Sequence, residues 1–174
     1  DLPKETSETL EKLLLQGKAP AKIENLERML IGFFRNAEAE ELKEYYAVTE
    51  GAENRIIAAA KTATSIEDFY EKVKTKRYTM ATVRRMIIAP FLGIKKAEPT
   101  IPFLRVLAFN ARGAEIMKNI KKSSDLPLIT NFTPELAAVP EFAEQIALER
   151  RATDIFSLAT PVIGSAFSDY TEKI

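Results

Sequence analysis

The chain has 174 residues, enough for one domain or at most two small ones. It has 25 basic and 25 acidic side chains and 46% hydrophobic residues, so a bulk polycation or polyanion is excluded. The absence of cysteine and histidine excludes disulfides, thiolate metal sites, histidine-ligated zinc and Ser-His-Asp hydrolysis. No apolar run approaches the roughly 18 residues of a membrane helix. Because a chain of cytoplasmic character here begins with Asp-Leu-Pro, we expect a piece of a longer protein.

The first 95 residues predict a helical region. A leucine stripe that stops at Gly17 predicts the first helix, and Ser65 with Asp68 resembles a capping box at the start of a later one. The second helix has one wide apolar face, which places the helix in the core. That face contains Leu26, Met29, Leu30, Phe33 and Phe34. The predicted helices after the first are 26–34, an exposed one at 38–44, 53–61, and 65–74.

A further helix is predicted from Met80, because the Thr79 hydroxyl can cap it. Pro90 and Gly93 are expected to end it. Arg84 and Arg85 lie beside its apolar face and are expected to remain exposed. That face is formed by Val83, Met86, Ile87, Pro90 and Phe91.

Residues 96–174 predict a small region of mixed structure. Segment 103–109 is apolar and fits a strand or a helix, and 126–130 fits a strand. A helix between them, running to about Lys122, predicts a parallel β-α-β element around 103–130. Its inward residues are expected to be Ile116, Met117 and Ile120. A last helix is predicted over about 141–158. The predicted fold is therefore mostly α with a minor parallel β element, and regions 1–95 and 96–174 are expected to pack as one domain.

The zero net charge hides a strong segregation along the chain. Residues 1–70 and 123–174 each have a net charge of −5, whereas residues 71–122 have +10. Between Lys72 and Lys96 there are eight basic residues and no acidic one. Such a block attracts a polyanion whatever the charge of the whole chain.

The stretch KTKRYT at 74–79 concentrates cations and hydroxyls before a helix N-terminus, where backbone N–H groups and the helix dipole favour an anion. Tyr78 offers a ring on which a base of single-stranded RNA can stack. A solvated basic face is the alternative, because cations at the end of the preceding helix are stabilising by themselves. The candidate site residues are Lys74, Lys76, Arg77, Tyr78, Thr79, Arg84 and Arg85.

Two weaker candidates remain open. The segment EGAENR at 50–55 is either a helix cap with an ion pair or a functional site. Arg105, inside an apolar segment, either pairs with an acid at a strand end or belongs to a site. The chain has no glycine-rich phosphate loop, paired metal-ligand motif or nucleophile elbow, so we expect neither catalytic nor metal-binding residues within it.

Six stretches resemble, in order, the C-terminal half of the bacterial tRNA(Met) cytidine acetate ligase family, whose members were formerly described as predicted nucleotidyltransferases. The resemblance covers about residues 40–160, and KTKRYT with its two following arginines is its most specific part. Ala108 departs from the family, because a glycine is expected there. The stretches are EGAENRI at 50–56, KTKRYT at 74–79, VRRM at 83–86, FLRVLAFN at 103–110, LPLI at 126–129 and RATDI at 151–155.

The resemblance implies a full chain of about twice this length. Its N-terminal, nucleotidyltransferase-like half binds ATP with magnesium through a histidine-containing motif, which is absent from these residues. The implied reaction activates acetate as acetyl-adenylate and acetylates the N4 amine of the wobble cytidine of elongator tRNA(Met). This chain is then expected to be cytoplasmic, to bind tRNA and its own N-terminal domain, to present Lys76 or Arg77 to the nucleotide, and not to catalyse alone. The rival hypothesis is a helical protein-interaction module with no nucleic-acid role.

Overall fold

The computed structural model describes residues 2–49, 51–96 and 101–165 in full, and residues 172 and 173 by their backbone. The chain divides into two compact units. The first contains residues 1–97 and 155–164, and the second contains 98–154 and 165–174. Residues 155–164, which the sequence places in region 96–174, thus belong to the first unit. In the described ranges, no helix is both long enough and apolar enough to cross a membrane.

The first unit is helical, and the predicted helices up to residue 95 are all present. A single turn of 3₁₀ helix at Ile23–Leu26 leads into the second helix, so that helix begins later than expected. The α-helices are α1 Lys4–Leu15, α2 Glu27–Asn36, α3 Ala39–Leu42, α4 Ala52–Thr62, α5 Ile66–Val73 and α6 Met80–Leu92.

The core of the first unit is formed by the apolar faces of α2, α4, α5 and α6. Phe34 and Phe69 are fully buried, with ring centroids 5.5 Å apart. The capping box is confirmed in part: the Ser65 hydroxyl accepts a hydrogen bond from the Asp68 N–H at 3.0 Å. The Asp68 carboxylate, however, accepts from the Thr64 N–H at 2.9 Å and not from that of Ser65.

Helix α6 has the predicted register. Val83, Met86 and Ile87 are fully buried, while Arg84 and Arg85 are exposed. Pro90 does not end the helix but lies inside its last turn, and Gly93 ends it in the left-handed conformation, with φ of 81°. Glycine is favoured there because it has no Cβ to clash with the backbone.

Several sequence-predicted core positions are wrong. Met29, on the expected apolar face of α2, is 44% exposed, and Ile31 is buried in its place. Leu42, in the helix expected to be exposed, is fully buried. In the second unit Ile116 is 49% exposed, and α7 buries none of its side chains. Helical periodicity identifies an apolar face but not whether another element covers it.

The second unit contains the predicted parallel β-α-β element, which is confirmed. Segment 103–109 holds two short strands instead of one element. Strand β1 pairs with β3 in parallel, with Leu104 opposite Leu128 and Arg105 opposite Ile129; β2 pairs with β4 in parallel. The elements are β1 Leu104–Arg105, β2 Ala108–Phe109, α7 Ala111–Ser123, β3 Leu128–Ile129, α8 Pro134–Ala137 and β4 Glu172–Lys173. Helix α9, Pro140–Ala159, contains the boundary between the two units.

Candidate nucleic-acid interface

The link between α5 and α6 is a tight turn built by threonine side chains and backbone. Lys74 ends α5 in an extended conformation with ψ of 141°. The N–H groups of Arg77 and Tyr78 then donate to the side chain and the carbonyl of Thr75, at 3.1 and 3.3 Å. These bonds fold the chain so that the cations of KTKRYT come directly before the first turn of α6.

The prediction that Thr79 caps α6 is confirmed. Its hydroxyl accepts a hydrogen bond from the Thr82 N–H at 3.2 Å and lies 3.0 Å from the Thr82 hydroxyl. Arg85 donates to the same Thr82 hydroxyl at 3.5 Å. The first turn of α6 contains no acidic residue, so no side-chain charge there compensates the positive end of the helix dipole.

Five exposed cations surround this turn, and we call them the basic cluster. Over residues 2–49, 51–96 and 101–165, none of the five forms an ion pair with a carboxylate. Lys72 behaves differently, because its ammonium contacts the Asp68 carboxylate and the Thr62 carbonyl, both at 2.7 Å. Lys72 thus has a structural role. The basic cluster is formed by Lys74, Lys76, Arg77, Arg84 and Arg85.

The two aromatic side chains of this region are each paired with an arginine. The Arg84 guanidinium lies 5.9 Å from the centroid of the Tyr70 ring, and burial raises the pKa of the Tyr70 phenol although Arg84 opposes that shift. The Arg77 guanidinium lies 5.6 Å from the centroid of Tyr78. Tyr78 is half-buried against the core, and its hydroxyl lies 2.8 Å from that of Thr49. The Tyr78 ring is therefore held in place by its neighbours.

Among its described residues, 51–55, the segment EGAENR shows neither a side-chain cap at the start of α4 nor an ion pair. Gly51, at the N-cap position before α4, has the left-handed conformation and offers no capping side chain. Glu53 is only 4% exposed, and its Oε2 atom has no hydrogen-bond partner, whereas Asn54 and Arg55 are exposed. Glu50 lies outside the described residues.

Arg105 pairs with an acid, as one of its two interpretations predicted. Its guanidinium donates to the carbonyls of Val106 and Thr130, and its Nε lies 3.6 Å from a carboxylate oxygen of Glu149. The ring of Phe132 lies beneath it, 4.4 Å from the guanidinium carbon to the centroid. Arg105 is 9% exposed on its side chain, so it anchors the β1–β3 pair.

The family model of the HIGH Nucleotidyl Transferases matches residues 1–169 of the chain. The chain belongs to this family. The match thus extends over nearly the whole chain, whereas the motifs led us to expect a resemblance over only about residues 40–160.

Similar curated proteins are tRNA(Met) cytidine acetate ligases. That of Thermosipho melanesiensis is 32% identical over 136 residues, which is 75% of this chain and 32% of that protein. That of Acetivibrio thermocellus is 27% identical over 183 residues, covering 99% of this chain and 44% of that protein. The chain thus spans less than half the length of these relatives.

Two solved structures of Thermotoga maritima TmcAL share the fold. The apo form superposes with a TM-score of 0.89 and 27% identity, covering 100% of this chain and 46% of that one. The form bound with alpha-thio ATP gives 0.87 and 28%, covering 99% and 47%. These structures belong to longer chains of the same family.

Sequence reasoning missed one part of this surface, the loop 43–49 that contacts Tyr78. Thr49 has no motif of its own, and Lys43 lies in an acidic stretch, where it forms an ion pair with Glu40 at 2.6 Å. The pairing of Thr49 with Tyr78 joins residues 29 positions apart, and local periodicity contains no signal for such a contact.

Proposed function

We propose that this chain is the C-terminal, tRNA-binding part of an ATP-dependent ligase that forms N4-acetylcytidine at the wobble position of elongator tRNA(Met). The observation that carries the proposal is the basic cluster, whose five exposed cations have no acidic partner in the described ranges. The similar proteins are tRNA(Met) cytidine acetate ligases, which supports tRNA as the substrate. The exposed cations of the basic cluster suit the phosphates of tRNA.

The chemistry of the cluster favours RNA phosphate. A phosphate at the α6 N-terminus meets both the helix dipole and the side-chain cations, and its arrival converts repulsion between these positive groups into attraction. Each phosphate that is neutralised releases condensed counterions, so binding depends on salt. The Tyr78 ring, beside Arg77, offers a surface for stacking an unpaired base.

The activation step belongs, in this proposal, to the remainder of the ligase. That part binds ATP with magnesium and acetate and forms acetyl-adenylate, while this chain holds the tRNA and completes the active site by presenting Lys76 or Arg77 to the nucleotide. The described residues contain no group of three or more acidic, histidine or cysteine side chains able to hold a metal ion. We further propose that the protein acts in the cytoplasm and that the isolated chain does not catalyse.

A second candidate function is a protein-interaction module without a nucleic-acid role. One observation favours it: α1 buries none of its residues and exposes leucines in its C-terminal half. Leu10 and Leu14 are 40% and 45% exposed, and Leu15 is 90% exposed. In this alternative the basic cluster is a solvated face.

The deciding experiment measures the affinity of the chain for tRNA over a series of salt concentrations. If about five phosphates are contacted, log affinity falls against log salt with a slope between roughly −3 and −5. The double variant Arg84→Ala/Arg85→Ala lowers the slope magnitude by about two. The matched control Lys12→Ala/Lys18→Ala removes the same charge from exposed positions in the same unit and leaves the slope unchanged. Equal binding by parent and arginine double variant at physiological salt favours the interaction module.

A further inference from the structure

Two distant segments are joined beside the basic cluster. The Tyr46 N–H donates to the Ile94 carbonyl at 2.7 Å, and the Lys96 N–H donates to the Glu44 carbonyl at 2.8 Å. These bonds hold the chain that follows α6 against the loop 43–49. Lys95 and Lys96, at the end of the basic block, therefore lie beside the loop 43–49. Thr49 of the same loop contacts Tyr78, which lies nearer the beginning of that block.

A cavity of about 310 Å³ lies at this junction and is lined by Lys43, Val48, Thr49 and Lys96. Thr49 contributes to its wall and also contacts the Tyr78 hydroxyl at 2.8 Å. Thr49 therefore connects the cavity to Tyr78 in the KTKRYT turn. Lys43 and Lys96 are exposed, whereas Val48 is 2% exposed and forms an apolar part of the lining.

The lining selects for an anion of modest size. Two ammonium groups and one hydroxyl are hydrogen-bond donors, and the described lining residues include no carboxylate that would favour a cation. The Lys43 ammonium pairs with the Glu40 carboxylate at 2.6 Å, so the positive charge that the lining offers to an anion comes from Lys96. The volume is at the lower end of small-ligand sites and accommodates a phosphate with part of its nucleoside.

We propose that this cavity is a phosphate-binding subsite, which takes the phosphodiester next to the nucleotide at Tyr78. This inference rests on the proposed function, because it extends the same RNA path beyond the basic cluster. A phosphate of this kind has two sources, the RNA backbone or a free nucleotide. The position of Thr49 favours the RNA backbone. Because Thr49 lines the cavity and also contacts Tyr78, an RNA strand with a base stacked on Tyr78 lies only one side chain away from the cavity.

The test compares Lys96→Ala, Thr49→Val, the double variant Arg84→Ala/Arg85→Ala and a control variant of the 174-residue chain, with two probes, tRNA and ATP. Lys96→Ala removes one phosphate contact and lowers the magnitude of the tRNA salt slope by about 0.7–0.9. Thr49→Val keeps the shape of the side chain but removes the hydroxyl, so it weakens tRNA binding several-fold and leaves the slope unchanged. Lys12→Ala, an exposed cation of α1, is the matched control and changes neither quantity. Circular dichroism of each variant establishes that the fold is retained.

The outcomes separate this inference from the proposed function. If Arg84→Ala/Arg85→Ala weakens tRNA binding while Lys96→Ala and Thr49→Val bind like the parent, the cavity is not a subsite, although the proposed function stands. If no variant changes tRNA binding, both fail. If ATP binds and Lys96→Ala abolishes that binding without affecting tRNA, the cavity takes phosphate from a free nucleotide, and the assignment to the RNA backbone is overturned.

Discussion

Arginines at the start of α6 and in strand β1 have opposite environments. Arg84 and Arg85 extend into solvent and have no carboxylate partner in the described ranges. Arg105 is buried between two carbonyls, an aromatic ring and the carboxylate of Glu149. A guanidinium whose donors are already used is structural, whereas one whose donors face water can bind a phosphate. Charge alone does not distinguish a site from an anchor.

The cores of the two units explain this difference. The first unit buries many apolar side chains from four helices, and neither Arg84 nor Arg85 is part of that core. Among the described residues of the second unit, the buried core consists of Phe103, Ile129 and Ile146. Phe103 contacts the rings of Phe132 and Phe142 at 6.0 and 5.6 Å between centroids. A core this small depends more on a polar anchor such as Arg105.

The largest expected effect lies in the core of the first unit. Ile87→Ala removes a fully buried side chain from α6 and is expected to lower the free energy of unfolding by about 2–5 kcal/mol. Arg84→Ala, on the exposed side of the same helix, is expected to change it by less than about 0.5 kcal/mol. Urea denaturation of both variants checks the contrast. Comparable losses from the two substitutions would contradict the register of α6.

The next largest effect on the free energy of unfolding is expected at Arg105, in the second unit. Arg105→Leu leaves the carbonyls of Val106 and Thr130 without this donor and is expected to cost about 1–3 kcal/mol. Arg105→Lys retains the charge but not the planar group that donates in several directions, so it restores only part of the loss. Chemical denaturation measures both variants. A stable Arg105→Leu protein would show that the comparison between anchor and site arginines is wrong.

Tyr78 tests whether an aromatic residue can be both anchored and functional. Tyr78→Ala is expected to weaken tRNA binding by about 1–3 kcal/mol through lost stacking, with the salt slope nearly unchanged. Tyr78→Phe keeps the ring and loses the contact with Thr49, so it is expected to cost about 0.5–1.5 kcal/mol of stability and far less binding than the alanine variant. Thermal denaturation and salt-dependent titration separate the two effects. Equal binding losses in both variants would exclude stacking.

The smallest expected effect concerns Lys72, which precedes the basic cluster in the chain and pairs with the Asp68 carboxylate. The hydrogen bond from Lys72, followed by that from the Thr64 N–H, holds the pKa of Asp68 below its ordinary 3.8. A pKa lowered by folding stabilises the protein above pH 3.8 and loses that contribution as the pH falls through the lower folded value. Asp68→Asn is therefore expected to have a lower melting temperature than the parent near neutral pH, and the difference is expected to shrink as the pH falls below 3.8. A constant difference between the two proteins at all pH values would contradict this linkage.

The sequence predicted those features of the first unit that depend on neighbours along the helix. The apolar positions of α6, the Thr79 cap and the exposed Arg84 and Arg85 follow from the periodicity of a helix and the hydrogen-bonding capacity of a hydroxyl. The parallel β-α-β element also followed from short-range patterns. The failures, such as exposed Met29 and Ile116, occur where an apolar face has no covering element in the described part of the chain.

By itself, the sequence determined the helices, the charge block and the resemblance to a ligase family, because each is encoded within a few turns or strands of chain. The tertiary structure alone decided which distant groups meet, so that the Tyr78 hydroxyl lies 2.8 Å from that of Thr49. It also decided that Lys43 and Lys96 line one cavity, although 53 positions separate them in the chain. The physical reason is that such contacts arise from the packing of α6 and its following segment against the loop 43–49, and this packing depends on the whole core.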